Sequence, residues 1–239
     1  MSTEPQKARY RINTLNEKSL HAALKEWYGQ PDDQFEVAVD GFLVDIVRGS
    51  LLIEIQTRNF AAIKQKLAKL TLHYPVRLVY PIAQEKWIVR LGDDGQYELG
   101  RRKSPKRGTF DDVFEELVSF PRLLCNPNFT IEVLLIQEEE IRRRRGVRGW
   151  RRKEWLTQQR RLLDVLQRRV FETPADMSAL IPSGLAEPFT TSELAGAIGK
   201  PHSLAQQMAY CLREMGAVVP VGKRGNAILY RRAAICPTH

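Results

Sequence analysis

The stretch Asp40–Thr57, DGFLVDIVRGSLLIEIQT, constrains the fold of this chain more than any other. Two apolar, β-branched runs, Phe42–Val47 and Leu51–Ile55, flank the pair Gly49-Ser50. Such runs around a two-residue turn predict a β-hairpin, and Gly in the first central position suits a type II′ turn, which needs φ > 0 there. A two-residue turn also sets the register. Arg48 pairs with Leu51, the pairing runs outward, and Asp45 falls opposite Glu54. Side chains alternate between faces, so Leu43, Asp45 and Val47 share one face with Leu52, Glu54 and Gln56.

Carboxylates on strand partners, with β-carbons about 5 Å apart, repel by about 3 kcal/mol at an effective dielectric near 20. Leu43, Val47 and Leu52 argue against a fully solvated face. A divalent cation turns the repulsion into ligation. A hard ion such as Mg²⁺ (or Mn²⁺) takes carboxylate oxygens and keeps waters for chemistry. The plainer reading is two exposed acids at a sheet edge.

Asp45, then Glu54-Ile55-Gln56, resembles the signature of the PD-(D/E)xK nuclease superfamily, the restriction-endonuclease-like fold: an acid on one strand, then acid-x-Lys on the next. Val44 stands where Pro is frequent, and Gln56 stands where the family has Lys. Some restriction enzymes of the superfamily carry Gln or Glu in that slot and are active. The resemblance implies Asp45 and Glu54 as metal ligands, the Ile55 carbonyl as a further one, and Gln56 as the group that positions the attacking water.

The surrounding pattern extends the resemblance. Thr14 and Glu17 form a capping box for a helix with Leu20, Leu24, Trp27 and Tyr28 on one stripe, ended by Gly29-Gln30-Pro31. Glu17 therefore has a capping role to fill. Many relatives, archaeal Holliday-junction resolvases among them, carry a Glu on a first helix that completes the metal site. Phe35–Val39 alternates as a strand entering the hairpin. A helix from Asn59 to His73 and a short strand Val76–Tyr80 complete a βαβ unit, with its two strands expected parallel. Lys64 and Lys66 lie on that helix. In some relatives the lysine has moved there, and Lys64 is the residue placed to reach back; a solvated helix face accounts for both lysines as well. Lys86–Leu91 and Tyr97–Leu99 read as strands joined by Asp94-Gly95. Arg101, Arg102, Lys103, Lys106 and Arg107 make a basic loop, Phe110–Phe120 a short helix, and Phe129–Ile136 an apolar strand.

The chain has 239 residues, a net charge of +9 and a pI near 9.6, a balance that points to a polyanionic partner, with DNA as the default. Cys125, Cys211 and Cys236 show neither zinc spacing nor a disulfide framework, and read as reduced thiols of a cytoplasmic protein. No apolar run has the length of a membrane span.

Residues 141–154 are Arg-rich, with Arg148, Arg151 and Arg152 among Gly146, Gly149 and Trp150. The run reads as a solvated linker or as a segment that tracks phosphates. Beyond it, Trp155–Phe171 has helical spacing of Leu162, Leu163, Leu166 and Val170. Thr190 and Glu193 form a capping box for a helix Thr191–Ile198. Gly199-Lys200-Pro201 makes a turn, Ser203–Met215 a second helix, and Ala217–Val221 and Ala227–Arg231 a basic hairpin. This layout resembles the winged helix-turn-helix domain, which implies a recognition helix offering His202, Ser203, Gln206, Gln207 and Tyr210, and a wing carrying Lys223 and Arg224. Winged helices also serve as protein-contact modules.

The expected class is α/β (α+β): a restriction-endonuclease-like mixed sheet flanked by helices in residues 1–140, the linker 141–154, and a smaller winged-helix domain in 155–239. The expected activity is Mg²⁺-dependent DNA hydrolysis, as in restriction, repair, recombination or Tn7-type transposition. The alternative is a DNA-binding regulatory or architectural protein with a degenerate nuclease fold. Many relatives act as dimers, because cutting two strands needs two sites.

Overall fold

A computed structural model describes residues 19–92, 97–144 and 155–233. The chain is a mixed α/β protein. In order it forms α1 (Leu20–Tyr28), β1 (Gln34–Val39), β2 (Phe42–Arg48), β3 (Leu51–Ile55), α2 (Lys64–Leu70), β4 (Val76–Leu91), β5 (Glu98–Lys103) and α3 (Phe114–Leu117). Then come β6 (Phe129–Arg144), β7 (Trp155–Phe171), α4 (Pro174–Ser178), α5 (Thr191–Ile198), α6 (His202–Glu214), β8 (Val218–Arg224) and β9 (Ala227–Arg232). The large sheet has the order β1-β2-β3-β4-β6-β7, with β5 on β4, and β8-β9 form a separate hairpin.

The hairpin forms in the expected register. Gly49 takes φ +57° and Ser50 does not share the positive φ, as a II′ turn requires. Arg48 pairs with Leu51, Val47 with Leu52 and Ile46 with Ile53. β1 adds antiparallel to β2 across the Asp40-Gly41 turn. β3 and β4 are parallel, from Leu52↔Val76 to Ile55↔Val79, with α2 in the connection.

By contacts the chain divides into two compact units. One draws on Gly29–Ile82, Thr109–Leu135 and Gln167–His239. Its core is a single cluster running from Val44 and Leu52 through Phe60, Phe114, Phe120 and Phe129 to Phe171, Met208, Leu212 and Tyr230. Phe60 is the hub. Its ring stacks on Phe120 at 5.4 Å and meets Tyr80 edge-on at 4.8 Å. The α5–turn–α6 segment shares this core through Leu194, Leu204, Ala205, Met208 and Leu212. Local signals set its ends: Thr190 and Glu193 form the capping box, and Gly199 closes α5 in the left-handed region.

The other unit draws on Met1–Tyr28, Ala83–Gly108 and Ile136–Leu166. Much of its interior is charged. Glu138 meets Lys86 at 3.0 Å and Arg160 at 2.7 Å; Glu139 meets Arg101 at 2.6 Å and Arg161 at 3.2 Å. Glu140 meets Lys86 at 2.9 Å and Arg142 at 2.7 Å, and accepts from Thr157 Oγ at 2.6 Å. All three glutamates are buried, so each needs these partners to offset lost hydration.

That network explains where the structure departs from expectation. Trp155–Phe171 is a strand, not a helix. The leucine spacing fits a helix, but extending β7 brings Arg160 and Arg161 to the buried carboxylates of β6. Ile141–Arg144, expected in the linker, continue β6, with Arg142 satisfied by Glu140. The strand expected at Val76–Tyr80 does not end before Lys86: β4 runs unbroken to Leu91. The helices expected at Asn59–His73 and Phe110–Phe120 each open with a 3-10 turn, Phe60–Ile63 and Phe110–Val113. Thr14 and the Asp94-Gly95 turn lie outside the described residues; at α1 the Ala22 amide bonds to Ser19 Oγ at 3.3 Å.

Burial would raise the Glu140 pKa, but bonds from Arg142, Thr157 and Lys86 outweigh it and hold the carboxyl at about 2, against an ordinary 4.5. Its contribution to stability is therefore complete above pH 4.5 and lost as the pH falls toward 2. Glu140→Gln is expected to cost up to about 3 kcal/mol at pH 7. In urea titrations the gap to wild type should close between pH 4.5 and 2; a constant gap would show that the network does not hold the charge.

Candidate active site

The β2–β3 ladder stops one step short of the two acids. Beyond Ile46↔Ile53 the next pair in register is Asp45 with Glu54, and there backbone pairing gives way to side chains. Asp45 Oδ2 accepts from the Ile55 amide at 2.9 Å, the place a β2 carbonyl would otherwise fill. The Glu54 carboxylate takes its compensating charge from elsewhere, at Lys66. Asp45 thus caps β3, and the ladder ends with both acids at the opening. A residue's N–H and C=O point to the same strand edge, so the Ile55 carbonyl faces β2 at the level of Asp45.

Glu54 is buried, at 5% exposed, while Asp45 is half-buried. Burial raises the Glu54 pKa, the Lys66 ammonium opposes that, and the Asp45 charge adds to the rise. Lys66 reaches in from α2, pairs with Glu54 Oε1 and donates to the Leu43 carbonyl. Asp45, Glu54 and Lys66 make one electrostatic unit: two acids and a cation, shielded from water on the Glu54 side.

Other candidates sit elsewhere. The Gln56 amide turns away and donates to the carbonyls of Arg58 and Asn59. Lys64 lines a hollow of about 460 Å³ with Ala68, Phe120, Arg122 and Tyr210. Glu17 lies outside the described residues. The sequence singles out Lys64 and Lys66 together, with Lys64 expected to reach the acids; the structure brings Lys66 there. Lys64 and Lys66 lie about 200° apart around the helix, so only one of them can face the acids.

The donor set suits Mg²⁺ or Mn²⁺. Two carboxylates and a carbonyl are hard oxygen ligands, and such ions keep several waters. Among the described residues no three His, Cys, Asp or Glu side chains converge, so the remaining positions would fall to water or to Glu17.

On α6 the exposed face carries His202, Ser203, Gln206 and Tyr210, with Gln207 half-buried. The His202 ring is tied to Thr191 Oγ at 2.8 Å. In the β8–β9 hairpin Lys223 is exposed, and Arg224 reaches back to Glu193 at 2.7 Å. The Thr190 amide and Arg224 hold the Glu193 carboxyl at about 2. Arg148, Arg151 and Arg152 lie outside the described residues.

Residues 18–172 match the family model described as "Domain of unknown function (DUF8091)". The chain belongs to the DUF8091 family. It is similar to an uncharacterized protein of Treponema pallidum (strain Nichols), 30% identical over 224 residues that cover 92% of this chain and 87% of that protein. No solved structure matches. The family region holds Asp45, Glu54 and Lys66 and ends before α4, so α5, α6 and the β8–β9 hairpin lie beyond it.

Lys66→Met should leave Glu54 buried and uncompensated, at a cost of about 3–5 kcal/mol. Because the Glu54 pKa is already raised, the lost stability should return as the pH drops and the carboxyl protonates. Urea midpoints at pH 8 and pH 5 measure this. A loss independent of pH would mean that Lys66 packs but does not pair.

Proposed function

We infer that this protein is a metal-dependent DNA endonuclease with a restriction-endonuclease-like sheet and a C-terminal winged helix. The observation that carries the reading is the parted β2–β3 ladder, with Asp45 and Glu54 in the opening and Lys66 against them. The antiparallel hairpin, the parallel β3–α2–β4 step and the order of acids along the chain agree with it. A bound Mg²⁺ or Mn²⁺ supplies a Lewis acid and an activated water for attack on a phosphodiester. Asp45 and Glu54 would hold it, with the Ile55 carbonyl beside them. Lys66 takes the part of the lysine absent at Gln56: it holds positive charge next to Glu54 and can move toward a phosphate oxygen or the attacking water.

The winged-helix reading is supported by the tight α5–α6 turn, the α6 face bearing Ser203, Gln206 and Gln207, and Phe189, which makes an isolated antiparallel bridge to Tyr230 of β9. DNA is the partner that best fits the charge of the whole chain.

A second reading has its own observation. Lys66 already neutralises Glu54, and Gln56 faces its own turn. The same residues then serve as a structural ion pair in a DNA-binding protein without catalysis.

Nicking of supercoiled plasmid with Mg²⁺ or Mn²⁺ separates the two. The enzyme reading expects cleavage by wild type and losses of at least about 100-fold in Asp45→Ala, Glu54→Ala and Lys66→Ala. A pure, folded protein inert on duplex, branched and modified DNA, with binding intact, decides for the second.

A further inference from the structure

Positive charge is divided unequally between the two units. Residues 1–28, 83–108 and 136–166 carry 22 Lys and Arg against 12 Asp and Glu. The remainder, which holds both the acid pair and the α5–α6–hairpin segment, carries 15 against 16. The unit that holds the segment resembling a DNA reader is thus nearly neutral taken whole, although residues 190–232 themselves carry six Lys and Arg against two Asp and Glu. A polyanion would be drawn to the other unit.

Within that unit the cations cluster on one edge. The segment expected as a basic loop is strand β5 and the turn after it, with Arg101, Arg102, Lys103, Lys106 and Arg107 all exposed. Trp87 of β4 organises two of them, Arg101 and Lys103. Lys103 is its cross-strand partner, with the ammonium 4.9 Å from the indole centre, and the Arg101 guanidinium lies 5.0 Å from it. Glu85 fixes Lys103 at 2.9 Å and Arg107 at 3.3 Å, and Glu139 fixes Arg101 at 2.6 Å. These two carboxylates do not balance five cations, and Glu139 is shared with Arg161. Arg102 and Lys106 make no ion pair among the described residues. Arg101 and Lys103, two positions apart on a strand, stand about 7 Å from each other along it, roughly two nucleotide steps of one DNA strand.

We propose that the β5 edge, Arg101 to Arg107 braced by Trp87, is the main phosphate-gripping surface of this protein, with duplex DNA as its ligand. The choice of DNA rests on the function proposed above; the location does not. Cations stacked on an indole and tied to glutamates are held in line before binding, which suits a regular row of phosphates better than a fluid anionic lipid surface. Edge strands also carry Lys and Arg to block edge-to-edge aggregation, and that role makes a different prediction.

The test is Arg102→Gln with Lys106→Gln, two residues whose removal breaks no ion pair. It is compared with Lys223→Ala plus Arg224→Ala in the full chain. Binding to a random-sequence duplex of about 25 base pairs is measured with a chelator present, so that failure to cleave has no bearing on the result. Loss of two phosphate contacts should flatten the slope of log K against log salt by about 2 and weaken binding about tenfold near 0.1 M salt. The β8–β9 variant should change the slope by less. An unchanged slope, a larger effect from the β8–β9 pair, or self-association of the Gln variant with binding intact would overturn the proposal. So would binding to phosphatidylserine vesicles in place of duplex.

Discussion

The structure turns on the point where Asp45 and Glu54 interrupt the β2–β3 ladder. A hairpin closed by a two-residue turn would be expected to pair along its length, but here it pairs for three steps and then opens. The Asp45 side chain takes the Ile55 amide in place of a β2 carbonyl, and Glu54 turns to Lys66. Two like charges are thus held side by side by one backbone bond to Asp45 and by the Lys66 ammonium on Glu54. Burial of Glu54 sharpens the arrangement, since a carboxylate out of water demands a cation, and Lys66 supplies one.

The same rule, buried carboxylates matched to cations on neighbouring strands, shapes the other unit at larger scale. Glu138, Glu139 and Glu140 point alternately to the two faces of β6 and collect basic groups from β4, β5 and β7. This is why a strand as polar as β7 stays extended. Many cations there are consumed by structure, while the β5 edge carries more of them than its glutamates balance. Charge in this protein is used twice, once to build the sheet and once to leave a basic rim.

These two uses separate the acid pair from the bulk of the positive charge along the chain. Asp45, Glu54 and Lys66 sit in segments of balanced charge, where a small change such as a metal in place of an ammonium has a local effect. A nuclease reading and a binding-only reading differ in what occupies that opening, and not in the fold around it.

What could be read from sequence was local. Gly49 at a φ-positive turn set the hairpin register. Thr190 with Glu193 and the left-handed Gly199 bounded α5, and apolar spacing gave α6 its buried face. In each case a few neighbouring residues decide a backbone angle or a cap, and nothing distant competes. The acid pair followed, because register is arithmetic once the turn is known. Tertiary structure decided the rest. The buried glutamates of β6 find cations on β7 as a strand, against its helical spacing, and Lys66, not Lys64, pairs with Glu54. Partners for a buried charge lie far apart in sequence, and no local pattern states which lysine or arginine will be needed.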